Sequence, residues 1–176
     1  KCGQKCTAIR RVIVPQEFLE DVQIALGKEF AKTTVGNPRN ESVRMGSLAA
    51  QSQRADVLEK LAILLEESEL VYGDPSSLDV IDASFEKGAF ISPILLVNND
   101  PFKKMSTHEV EAFGPITTLM SYDTLEDAVA LTKMGKGSLV CSITTHDNRI
   151  ARDFVLDCAS HHGRILVLNR ESAPES

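Results

Sequence analysis

Ile116-Thr117-Thr118-Leu119-Met120-Ser121-Tyr122, then Asp123-Thr124-Leu125-Glu126-Asp127, then Ser138-Leu139-Val140-Cys141-Ser142-Ile143-Thr144 form the stretch whose reading decides the fold. The first and last segments are rich in β-branched and apolar residues and short enough to be strands. Between them, Thr124 with Asp127 three residues on resembles a capping box. It opens a helix that runs to about Met134, with Leu125, Ala128, Val129 and Thr132 on its inner face. Strand, helix, strand with a crossover of that length implies parallel pairing and a right-handed connection. The second strand, 138–144, reads as buried.

The same alternation continues outward. Downstream, Asp147 is placed to cap a helix carrying Ile150, Ala151, Phe154, Val155 and Cys158 on one face, and Ile165 to Leu168 reads as the last strand. The tail Ser172-Ala173-Pro174-Glu175-Ser176 has no evident partner. Upstream, Ile9 to Val14 is a strand ended by Pro15, and Gln16 to about Ala31 is a helix carrying Phe18, Leu19, Val22, Leu26 and Phe30. Gly36-Asn37-Pro38 and Met45-Gly46-Ser47 mark loops. A further helix with Val57, Leu61, Leu64 and Leu65 ends near Glu67 or Ser68, before a short strand at Leu70 to Tyr72. Gly88 to Val97 is apolar and extended, and Pro93 within it suggests an edge or bent strand. The expected fold class is α/β: a three-layer, largely parallel sheet with helices on both faces, formed by residues 1–176 as one domain.

Composition narrows the function. The chain has 176 residues, 43% hydrophobic and 25% charged, enough for one buried core. Its net charge of −6 and pI near 5.2 leave no basic stripe for a phosphate backbone, so nucleic acid is excluded as a partner. Apolar runs such as Ile94-Leu95-Leu96-Val97 are far short of a membrane span. Four sparse cysteines, at 2, 6, 141 and 158, read as reduced thiols of a cytoplasmic protein rather than a disulfide framework. Lys1 rather than Met opens the chain, so it reads as a piece of something larger.

Two constellations carry chemistry. Cys6 lies in Gly3-Gln4-Lys5-Cys6-Thr7-Ala8, a loop of small residues leading into the first strand, with Lys5, Arg10 and Arg11 near in sequence. Positive charge and backbone amides favour a thiolate nucleophile; the competing reading is a buried, inert thiol. The second is His108-Glu109-Val110-Glu111-Ala112-Phe113-Gly114-Pro115. Here Glu111 has the two acceptor oxygens that a ligand diol needs, and Phe113 offers a ring to an apolar ligand face; otherwise the carboxylates are solvated and Phe113 anchors a turn. His161 and His162 are expected at the end of a helix, where cationic side chains suit the dipole, and His146 in a turn. Cys158, His161 and His162 lack the spacing and the fourth ligand of a zinc site, so no metal is expected. Asn169 and Arg170 stand at the end of the last strand, either at a sheet-top site or in a hydrogen-bonded loop. There is no G-x-G-x-x-G and no phosphate loop in the chain.

Taken together, these motifs resemble the aldehyde dehydrogenase superfamily. Gly3-Gln4-Lys5-Cys6 is similar to its Gly-Gln-x-Cys nucleophile loop, and Glu111-Ala112-Phe113-Gly114-Pro115 to its Glu-x-Phe-Gly-Pro motif. Gly36-Asn37-Pro38 and Met45-Gly46 stand between them in the family's order. The longer strings 3–11 and Val167-Leu168-Asn169-Arg170-Glu171-Ser172-Ala173 look nearer to one branch, the dehydrogenase part of PaaZ-type phenylacetate-degrading proteins and related CoA-linked semialdehyde dehydrogenases. The resemblance implies Cys6 as nucleophile and donor of one oxyanion amide, Glu111 and Phe113 on the cofactor rim, and NADP or NAD as hydride acceptor. It implies an aldehyde substrate, CoA-linked in that branch, and a homo-oligomeric parent. The cofactor-binding domain and the general base would precede Lys1, so the chain alone is expected to have little or no dehydrogenase activity. Two other readings stay open: a non-catalytic α/β module for assembly or CoA-ester binding, and a thioesterase using the same thiol.

Overall fold

The computed structural model describes residues 1–172; the part of the expected unpartnered tail at 173–176 lies outside them. The elements are β1 (Arg11–Pro15), α1 (Leu19–Ala31) after a single 3-10 turn, α2 (Gln51–Leu65), β2 (Glu69–Tyr72), β3 (Ile94–Asn98), α3 (Ser106–Glu109), β4 (Ile116–Tyr122), α4 (Leu125–Met134), β5 (Ser138–Thr144), α5 (Asn148–Cys158) and β6 (His162–Leu168). They divide into two compact units, Lys1–Ser121 and Tyr122 onward. The class is mixed α/β with parallel pairing, as expected, and the strands fall into two sheets.

In the first unit the sheet order is β1-β4-β3-β2. β3 and β4 pair in parallel from Ile94↔Ile116 to Asn98↔Met120, and β2 joins β3 antiparallel. Strand alternation gives the sheet two apolar faces. Ile94, Leu96 and Ile116 turn to a cluster with Val57, Leu61 and Leu64 of α2. Leu95, Val97 and Leu119 turn the other way, to Leu19, Val22, Leu26 and Phe30 of α1. That is a three-layer arrangement, and each of the fully buried Ile94, Leu95 and Leu96 contributes about 1.5–3 kcal/mol of hydrophobic free energy.

The edge or bent strand expected around Pro93 is corrected here. All five residues of β3 are buried, and β3 lies inside the sheet with a partner on each side. Pro93 immediately precedes its first residue, so the missing N–H removes no ladder bond.

In the second unit β5 and β6 pair in parallel from Ser138↔His162 to Thr144↔Leu168. Val129, Phe154 and Cys158 form its small core with Leu125, Cys141, Ile143 and Ile165 packed against them. The capping box is present: the Thr124 hydroxyl accepts from the Asp127 N–H at 3.2 Å, and the Asp127 carboxylate accepts from the Thr124 N–H at 3.0 Å. Asp147 caps α5 by accepting from Arg149 N at 2.7 Å. Three expectations are revised. β5 is not buried, since Leu139 is 55% exposed. Ile150 is exposed, leaving Phe154 and Cys158 as the buried positions of α5. His162 opens β6, where its Nδ1 meets the Ser138 hydroxyl at 2.7 Å, so of the two histidines only His161 belongs to the helical end. Asn169 accepts from Ser172 N at 2.8 Å, the hydrogen-bonded loop role.

Candidate active site

The first eight residues are two turns in series. Cys2 and Gly3 are at φ 50° and 70°, and the Gln4 N–H donates to the Lys1 carbonyl at 2.9 Å. Ala8 N–H then donates to Lys5 O at 2.9 Å, which places Cys6 and Thr7 at the tip of the second turn. Cys6 is therefore exposed, while Cys2 is 3% exposed and packs into the main core. Burial pushes the Cys2 thiol up to about 11. Cys158 is raised likewise, to about 11, chiefly by its burial. Cys2 and Cys158 are thus the buried thiols, Cys141 is half-buried, and Cys6 is exposed.

Gln4 holds this loop from its side chain. Its Oε1 accepts from Ala49 N at 2.8 Å, and its Nε2 donates to Gln53 Oε1 on α2 at 3.1 Å. Gly3 lies against the other motif: a Cβ there would overlap the Gly114 carbonyl and come within 2.6 Å of Pro115 N. Its positive φ and its lack of a side chain are both required. On the outgoing side, Thr117 Oγ1 donates to Ile9 O and Thr118 N to Arg10 O, each at 2.9 Å.

These contacts bring the two motifs together although more than a hundred residues separate them in the chain. A small cavity of about 30 Å³ is lined by Gly3, Lys5, Cys6 and Arg10 on one side and Glu111, Phe113 and Gly114 on the other. Glu111 is exposed and Phe113 is 38% exposed, while Ala112 between them is buried in the main core. Lys60 of α2 feels this rim: its pKa is raised mainly by the Asp56 hydrogen bond, with a lesser contribution from Glu111.

The segment that leads into the Glu111 loop, residues 104–107, is held by buried and half-buried polar contacts. Asn98, 1% exposed at the end of β3, donates to Lys104 O at 3.0 Å and Thr107 Oγ1 at 3.1 Å. Glu67 accepts from Ser106 N at 2.6 Å, and that bond holds its carboxyl below the usual range. His108, expected only as a neighbour of the motif, is buried in α3 and bonded through both ring nitrogens. Spacing gave no sign of this, because its partner Arg11 is 97 positions away.

Comparison with known proteins identifies the family. The aldehyde dehydrogenase family model matches residues 1–167. The chain belongs to the aldehyde dehydrogenase family. It is 38% identical over 169 residues to 3,4-dehydroadipyl-CoA semialdehyde dehydrogenase of Aromatoleum evansii, covering 96% of this chain and 33% of that one. It is also 38% identical over 133 residues to Protein MaoC of Klebsiella aerogenes, covering 75% and 38%. Among solved structures, a mutant aldehyde dehydrogenase C of Pseudomonas syringae, complexed with NAD+ and octanal, superposes with a TM-score of 0.83 at 26% identity, over 94% of this chain and 33% of that one. The chain thus spans about a third of the length of the relatives it matches. Among the described residues no helix is long and apolar enough to cross a membrane, and no group of three His, Cys, Asp or Glu is arranged to hold a metal ion.

Proposed function

We propose that this chain is the catalytic subdomain of an NAD(P)-dependent aldehyde dehydrogenase, with Cys6 as its nucleophile and Glu111 and Phe113 on its cofactor rim. The observation that carries this is the convergence of an exposed Cys6 and an exposed Glu111 on one cavity inside a family fold. The Cys6 sulfur adds to the aldehyde carbon and forms a thiohemiacetal, with its own backbone N–H as one donor to the oxyanion. Loss of hydride leaves a thioester on Cys6, which water hydrolyses to the acid and the free thiol. A carboxylate with two open acceptor oxygens beside an exposed ring fits a ribose diol and a nicotinamide face, so Glu111 and Phe113 would hold that end of NAD(P). Bound there, the dinucleotide supplies the two-electron acceptor.

Ionisation of the thiol is the smaller part of the catalysis. An ordinary thiol is about 3% ionised at pH 7, so complete ionisation gains about 30-fold, or about 2 kcal/mol. Enzymes lower barriers by about 8–23 kcal/mol, so positioning and oxyanion stabilisation must supply most of the remainder.

The semialdehyde relative supports a CoA-linked semialdehyde as substrate, and the likeness of residues 3–11 and 167–173 to PaaZ-type proteins extends the proposal to aromatic-acid catabolism. On this reading the cofactor-binding domain belongs to the parent chain, which is a homo-oligomer. The cytoplasm, where an exposed thiol stays reduced, is its compartment. The test is aldehyde-dependent NAD+ or NADP+ reduction by the full-length protein, with CoA-linked and free semialdehydes in parallel. Loss of turnover in Cys6→Ala with the fold retained supports the assignment; undiminished turnover in that variant refutes it. Residues 1–176 expressed alone are expected to be inactive.

A further inference from the structure

His108 is 3% exposed and makes two hydrogen bonds that specify its protonation state. Arg11 Nη1 lies 2.9 Å from Nδ1, and the Pro101 carbonyl lies 2.8 Å from Nε2. A guanidinium only donates and a carbonyl only accepts. Nδ1 must therefore be the bare nitrogen and Nε2 must carry the proton, which is the neutral imidazole. A second proton would turn the Arg11 contact into two N–H groups facing each other across 2.9 Å, with like charges behind them.

The place of this pair in the fold gives it a consequence. Arg11 is the first residue of β1, directly after the segment that leaves the Cys6 turn, and His108 is in α3, directly before the segment that carries Glu111 and Phe113. We propose that His108 is a positioning residue for the paired site: as a neutral imidazole it accepts from Arg11 and donates to Pro101, and so ties the strand leaving the nucleophile turn to the helix leading into the cofactor rim. This inference rests on reading Cys6 and Glu111 as partners in one site. Gly3 against Gly114 and the bonds from Thr117 and Thr118 of β4 to Ile9 O and Arg10 O hold the downstream end of the rim segment, and the Arg11–His108 bond holds its upstream end.

The electrostatics agree with the geometry. Burial is the main force holding His108 below the ordinary histidine value, and the charges of Arg11 and Arg10 on the β1 side add to it. The Pro101 bond and Glu109 on its own helix oppose them. The tie is therefore closed at neutral pH and opens on the acid side of the ordinary histidine range.

The experiment follows Cys6 alkylation by N-ethylmaleimide against pH, by mass spectrometry on the folded full chain. Three proteins are compared: wild type, His108→Asn and Arg11→Gln. Asn keeps an acceptor for Arg11 and does not titrate; Gln keeps a donor for Nδ1 and removes the charge. The wild-type profile is expected to show a second inflection beside that of the thiol, at the pH where the His108 ring titrates by NMR. His108→Asn loses that inflection, and Arg11→Gln moves it to higher pH. Profiles with the thiol inflection alone in wild type and Arg11→Gln overturn the proposal, even if His108→Asn does not fold. A Cys6 no faster than a free thiol refutes the site assignment instead, and the comparison of inflections still decides the tie.

Discussion

Replacing Gly3 by alanine tests the close approach on which the site depends. The left-handed conformation at φ 70° costs a residue with a Cβ about 1–2 kcal/mol. The added methyl would overlap the Gly114 carbonyl and press on Pro115 N, and both are backbone atoms that no rotamer change can move aside. Overpacking of that kind adds about 1–3 kcal/mol, for a total of about 2–5 kcal/mol. Local release of residues 1–10 limits the loss, and Cys2 reports that release, because it is 3% exposed and held in the core. Two to five kcal/mol corresponds to about 30-fold to several thousandfold more of the released form. Alkylation of Cys2 at fixed pH, read by mass spectrometry, should rise by at least the lower figure. Gly27→Ala is the control: its Cβ would meet only a Tyr72 ring carbon at 3.8 Å within α1, so it should stabilise by about 0.5–1 kcal/mol. Cys2 alkylation unchanged in Gly3→Ala would refute the argument that backbone contact joins the two motifs.

Thr124→Ala removes a cap from α4 and should cost about 1 kcal/mol in urea unfolding of the 122–172 unit, with Cys6 reactivity unchanged. Acid should weaken the fold through His108. Its folded pKa lies below 6.5, so the unfolded chain binds the proton more readily; stability is full above about pH 6.5 and is lost as pH falls from there towards the folded value, as thermal melts at stepped pH would show. Glu111→Gln, at an exposed rim position, should leave melting within about 0.5 kcal/mol of wild type while weakening dinucleotide binding by the full-length protein, measured by fluorescence titration.

Local chemistry made much of the fold legible. The bounds of β4 and β5, the Thr124 box and the Asp147 cap depend on residues within a few positions of each other, and all are where their patterns put them. Features that depend on distant partners were not legible. Pro93 looks like an edge signal until β3 is seen to begin one residue later, between β2 and β4. β6 starts at His162 because that residue pairs with Ser138, a register that no short window contains. The candidate site divides in the same way. Cys6, Glu111 and Phe113 are marked by the motifs around them, whereas the burial that separates Cys2 from Cys6, four positions apart, comes from the turn at Gly3. The Arg11–His108 bond joins residues 97 positions apart, and neither has a neighbour in sequence that signals it.

The most direct test of Cys6 as a preformed nucleophile is the alkylation rate of each cysteine on the folded full chain at pH 7, by mass spectrometry, with Cys6→Ser as control. The account predicts that Cys6 reacts at least about tenfold faster than a free thiol such as glutathione. Cys2 and Cys158, both pushed up to about 11, should be nearly silent. A Cys6 that reacts at the pace of an ordinary thiol, or is outpaced by either buried cysteine, would contradict it.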